Sequence, residues 1–174
     1  MLYTPPISDY KPFYIQIGSA VSATDILTTY NVLVREHDFP SELAVKEPYK
    51  NDWKDEHGDD EYLPAVGLYA AAFTYQLDCI MFARNNSEAA AIADIEAGLA
   101  TFKYALRTGG LFKVYDAYTG HGFKEVRLSK FPKPARGDYD VESKDNVRLM
   151  FTVEFKVNDP VTRMTLSNGA IVER

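Results

Sequence analysis

Cys79 is the single cysteine of this 174-residue chain, and His37, His57 and His121 are its three imidazoles. A thiolate beside an imidazole base is a nucleophile. Cys79, however, falls between Leu77 and Met81 in a run where Phe73, Tyr75, Leu77, Cys79 and Met81 share one strand face and Thr74, Gln76 and Asp78 share the other. On an apolar face a cysteine behaves as a small hydrophobe, so the structural reading is favoured. The run Asp55-Glu56-His57-Gly58-Asp59-Asp60-Glu61 offers oxygen and nitrogen donors to a divalent cation. Its spacing does not match a calcium loop, and no second histidine stands at helical spacing, which favours a solvated acidic loop. Gly109-Gly110 and Gly120-His121-Gly122 lack the spacing of phosphate-binding loops and read as turn glycines. No catalytic, cofactor-binding or metal-ligating residue is expected, and no cofactor.

The residues that remain are suited to contact. Trp53 is flanked by charges; such a tryptophan either anchors an interface or folds back onto its own chain. Lys124, Arg127, Lys130, Lys133 and Arg136 form a basic stretch interleaved with Tyr118, Phe123 and Phe131. The chain as a whole has a formal charge of -6, which repels phosphate backbones and anionic lipid surfaces. The basic stretch is therefore read as the complement of an acidic neighbour rather than of nucleic acid. An acidic segment near 52–61 and a basic one near 124–136 suit head-to-tail contact between identical copies, with a ring as the closed product. Candidate contacts between subunits are Tyr49, Trp53, Glu56, Tyr62, Lys124 and Arg127.

The elements that must hold these residues follow from periodicity. Length predicts one structural domain over 1–174, and an apolar fraction of 46% with a charged fraction of 25% predicts a folded core. The 12 tyrosines and 10 phenylalanines favour strands. No start resembles a secretory leader and no run is long enough to span a bilayer, so a soluble chain without a membrane partner is expected. Residues 12–17 and the β-branched run 26–34 predict two N-terminal strands. From Glu36 to Gly67 the pattern breaks around Pro40, Pro48, Gly58 and Pro64, which predicts a long acidic arm, a candidate for contact. After the strand at 73–81, Ser87 and Glu88 precede Ile92, Ile95, Leu99, Phe102 and Leu106, predicting a helix over 87–107 closed by Gly109-Gly110. Segments 111–118 and 123–131 predict a hairpin, and 132–144 a polar loop. Strict alternation over 147–157 predicts the clearest strand, ended by Asp159-Pro160. Residues 161–174 predict a terminal hairpin or arm turning at Ser167-Asn168-Gly169. The sum is an α+β, mainly β fold: an antiparallel sheet or sandwich with one packed helix.

Three segments together resemble a known group. Asp25 and Tyr30 match an opening D-x-x-x-x-Y strand; Lys50, Trp53, Glu56 and Gly58 match a K…W-x-x-E-x-G loop; Phe151 to Pro160 match a closing strand that ends near a proline. Between them lie a strand, a helix ending in L-x-x-G at Leu106–Gly109, and a sheet with a turn. Over residues 25–163 this order resembles tail proteins of phages and prophages of Bacteroides-type bacteria, of the distal tail family. The resemblance implies a tail-tube-like β domain with a helix that forms a six-fold ring joining tail tube to tip. The segments before Asp25 and after Pro160 depart from the pattern and leave the place along the tail open.

The resulting expectation is a structural virion protein and not an enzyme. It would be made in the host bacterial cytoplasm and carried in the tail, with copies of itself and tube, tip or neck proteins as partners. It would bind no specific nucleic acid sequence and surround a lumen through which DNA can pass. A tail terminator, tail completion or head-tail joining ring protein is the nearest alternative. A small metal-assisted or cysteine-dependent cell-wall hydrolase and a ligand-binding β domain are alternatives from other classes.

Overall fold

The computed structural model describes residues 1–2, 10–38, 44–47, 49–51, 60–62, 70–85, 87–131, 135–136 and 146–174. In chain order these form β1 (Phe13–Ile17), β2 (Thr24–Asp25), α1 (Ile26–Tyr30), β3 (Leu33–His37), β4 (Tyr49–Asn51), β5 (Asp60–Tyr62) and β6 (Phe73–Arg84). Then come α2 (Glu88–Thr108), β7 (Phe112–Asp116), β8 (His121–Lys130), β9 (Ala135–Arg136), β10 (Asn146–Asp159), β11 (Met164–Ser167) and β12 (Ala170–Glu173). Among the described residues an eight-stranded antiparallel sheet runs β2-β1-β7-β8-β10-β6-β3, with β9 continuing alongside β10 where β8 ends. The mainly β, α+β architecture expected from the sequence is the one observed.

The centre of the sheet is the pairing of the two longest strands. Tyr75, Leu77, Cys79, Met81 and Ala83 of β6 stand opposite Phe155, Val153, Phe151, Leu149 and Val147 of β10. Because side chains alternate across a strand, this register places all ten on one face, where α2 covers them. Ile95, Leu99, Phe102 and Leu106 of α2 are buried there, together with Phe13, Ile15, Phe112, Val114, Phe123 and Val126. Phe102 meets Tyr30 at 5.3 Å, and Phe131 stacks on Phe151 at 5.6 Å. The helix begins as its sequence dictates: Ser87 Oγ accepts from Ala90 N–H at 3.3 Å, closing one of the free amides of the first turn.

The reverse face of β6 and β10 mixes polar and apolar side chains: Thr152 Oγ1 donates to Asp78 Oδ1 at 2.7 Å, while the neighbouring Ile80, opposite Met150 and Leu33, is buried. Over β1 and β7 the reverse face is covered by the β11-β12 hairpin. Ile171 N–H donates to the buried Gln16 Oε1 at 2.7 Å, and Lys113 Nζ donates to the Ile171 carbonyl at 3.0 Å. Gly122 is required beneath this hairpin, since a Cβ there would lie 2.8 Å from the Met164 carbonyl oxygen.

Four expectations are corrected. Residues 26–30 of the run expected as a strand are a helix: Asp25 Oδ1 accepts from Leu27 N–H, and Asn31 at φ 54 closes the turn. A local cap and a left-handed asparagine outweigh β-branched propensity over five residues. This also makes two helices where one was expected. The arm expected to open at Glu36 opens later, because Glu36 and His37 pair with Asp78 and Leu77. Within that arm Tyr49–Asn51 and Asp60–Tyr62 are paired strands rather than irregular chain. At the end of α2, Gly109 is right-handed at φ -70 and only Gly110 takes a positive φ of 65. Gly109 is instead set by packing, since a Cβ on it would meet Ile17 Cγ2 at 2.2 Å. The terminal segment 161–174 is the hairpin, one of the two forms expected for it.

Candidate functional site

Lys124 and Arg127 are three residues apart on β8, yet the fold separates their roles. A bulge on β8 opposite β7, with Glu125 at φ 52, rotates the strand between them. Lys124 turns to the C-terminal segment: its Nζ lies 2.7 Å from Glu173 Oε1 and 3.4 Å from Asp159 Oδ2. The Glu173 hydrogen bond is the largest influence raising the Lys124 ammonium above its ordinary value. At Asp159 partial burial acts to raise the carboxyl. It is outweighed by hydrogen bonds from the Thr162 hydroxyl and N–H, the Val161 N–H and Lys124, so the group lies below the usual carboxylate range. Lys124 therefore ties the last hairpin to the sheet, and its charge is balanced within its own chain.

Arg127 is exposed and borders a cleft of about 780 Å3 between the end of α2 and β8. The sheet itself creates this cleft. β7 stops pairing with β8 at Phe112↔Val126, while β8 continues to Lys130 on β10 alone. Among the described residues, 127–130 thus have a strand on one side only. Leu106, Leu128 and Phe131 form an apolar floor, and Leu111 at 51% exposure stands at its margin. Lys103 and Arg107 border the cleft from α2, and Arg127 and Lys130 border it from β8, where pairing with Lys156 and Glu154 sets them on the opposite face of the sheet from Leu128. Lys103 Nζ sits 4.5 Å from the Phe131 ring centroid, a cation–π contact that holds it over the floor. None of the four cations forms an ion pair among the described residues. The arrangement can bind an extended anionic chain: free strand edge, apolar floor and cationic rim.

The other sequence candidates fall as follows. Tyr49 pairs with Tyr62 across β4 and β5, and Lys50 with Glu61. Trp53 and Glu56, with the acidic run 52–59, lie outside the described residues. Lys130 belongs to the cleft, whereas Lys133 lies outside the described residues. Sequence reasoning missed Lys103 and Arg107, which lie some 20 residues before the basic stretch. The signal available was their i, i+4 spacing on one helix face. Cys79 is buried with Sγ 3.6 Å from the Leu77 carbonyl, and burial, with Asp78 nearby, pushes its thiol well above its ordinary value. It remains a protonated core side chain at neutral pH, as its strand position predicted. No helix among the described residues is long and apolar enough to cross a membrane.

No protein-family model matches the sequence, and no curated protein matches it. Among solved structures the fold is similar to Dit (gp 19.1) of phage SPP1, described as a paradigm of the hub adsorption apparatus in Gram-positive infecting phages. The two share 17% identity and a TM-score of 0.53, over 88% of this chain and 52% of that one. The chain thus spans about half the length of that structure. At this identity the likeness establishes a fold shared with a phage hub protein. It lends nothing particular to the Bacteroides-type group that the sequence resembles.

Proposed function

We propose that this protein is a structural component of a phage tail, folding as one unit and assembling head to tail into a ring that joins the tail tube to the tip. The observation that carries this is the fold shared with SPP1 Dit over 88% of the chain. A hub protein as the neighbour supports the distal place over a terminator or head-tail joining role. Six copies is the stoichiometry that the distal tail resemblance implies. The reading is of a scaffold rather than an enzyme: Cys79 is a buried thiol, and the cleft at α2 and β8 is bordered chiefly by cations and a strand edge, its Ser129 hydroxyl donating to Glu154 Oε1 at 2.8 Å. Its place is the virion tail after synthesis in the host cytoplasm, with tube and tip proteins as further partners.

Native mass spectrometry and negative-stain electron microscopy of the purified chain test the reading. Closed rings of six copies with a central channel are expected. A monomer at every concentration would overturn it.

A further inference from the structure

Four cations that form no ion pair among the described residues border this cleft, and on a chain whose formal charge is -6 they call for an anionic occupant. We propose that the cleft between the end of α2 and β8 is the docking site for the acidic loop that joins β4 to β5 in a second copy, one flank of it laid along residues 127–130 as an added strand. The identity of the partner rests on the ring reading; the site itself rests on the cleft.

The first ground is the strand edge. Among the described residues β8 beyond Val126 pairs with β10 and no longer with β7, so backbone donors and acceptors along 127–130 face the cleft. An extended chain laid there gains main-chain hydrogen bonds, the mode of recognition by strand addition.

The second is charge. Segment 52–61 carries Asp52, Asp55, Glu56, Asp59, Asp60 and Glu61 against the single base Lys54. Lys103, Arg107, Arg127 and Lys130 supply four full positive charges at the cleft. The carbonyl end of α2 opposes an anion there, but with only about half a charge. Trp53, inside the acidic run, is the apolar group that the floor of Leu106, Leu128 and Phe131 can take.

The third is placement. The arm leaves β3 and returns to β6, whereas the open edge of β8 faces the β7 side, away from both. Between copies, an arm at one edge and a cleft opening towards the other make a heterologous contact, the kind that closes into rings.

A charge-swap experiment on the full chain tests this. One variant carries Lys103→Glu, Arg107→Glu and Arg127→Glu; a second carries Asp55→Lys, Glu56→Lys and Asp59→Lys; a third combines all six. Assembly is read by native mass spectrometry. Binding is read by fluorescence anisotropy of a labelled peptide of residues 49–62 titrated into the second variant, whose clefts lack their acidic occupant. Either triple alone should dissociate the assembly and the combination should restore it. The peptide should bind, and should lose roughly 100-fold in affinity when the cleft charges are reversed. Rings that persist in both triple variants, with no peptide binding, would overturn the docking site and leave the ring reading standing. A wild-type monomer whose second variant binds peptide in this charge-dependent way would overturn the ring and keep the site. Binding of a poly-dT oligonucleotide without binding of the peptide would assign the cleft to nucleic acid and defeat the proposal.

Discussion

Single residues here act mainly by where they forbid or permit close approach. Gly122→Ala sets a methyl 2.8 Å from the Met164 carbonyl, a backbone atom that cannot rotate away. A loss of about 1–3 kcal/mol is expected from such overpacking, measured by urea unfolding with an unchanged m value. Asp159 carries a pH dependence of definite sign. Its carboxyl is held below the unfolded value of about 4. The stability it contributes is therefore complete above that pH and is lost as pH falls through the lower folded value. The amide resonances of Val161 and Thr162, both hydrogen-bonded to Asp159 Oδ1, should shift over that acid range, and Asp159→Asn should abolish the titration. Shifts that persist in the variant would place the transition on another group.

At the scale of elements, α2 and the β6-β10 pair support one another, and their failure modes differ. Ser87→Ala removes the oxygen that accepts from Ala90 N–H and should cost about 1 kcal/mol, read as a lower thermal midpoint with the fold retained. Phe102 is 2% exposed and packs against Tyr30, Phe131 and Phe151. Phe102→Ala should cost about 3–5 kcal/mol and loosen both α1 and the floor of the cleft. Equal losses for the two variants would contradict this division between a helix end and a core contact. These elements were legible in sequence because their periods are long and unbroken: 73–81 and 147–157 alternate, and 88–108 keeps its apolar residues three or four apart. The five residues of α1 were not. One turn is too short for a period to separate helix from strand, and what decides it is the Asp25 cap together with burial of Ile26 under the core.

For the whole molecule, the sheet assigns different work to its two ends. At the β1-β7 end the reverse face is closed by the β11-β12 hairpin; on the other side the chain leaves β3 for the arm and returns to β6. Replacing residues 48–63 by a short flexible linker removes β4, β5 and the acidic run while sparing every strand of the large sheet. The far-ultraviolet circular dichroism of the core should persist and assembly should be lost. Assembly that survives the replacement would show that the arm is not what joins the copies.

The sequence by itself determined the long helix, the two central strands and the inert placement of Cys79. Each of these depends on neighbours within a few residues. It also marked acidic and basic stretches as complementary, because net charge and local runs are properties of the chain alone. Only the tertiary structure decided which cations remain available. Lys124 is balanced by Asp159 and Glu173, some 35 and 49 residues away in sequence, whereas Lys103 and Arg107 reach the cleft from a different element. Among the described residues the open edge of β8 arises because a 5-residue strand pairs with a 10-residue one. That mismatch exists only once the two lie side by side, and so no local pattern could announce it.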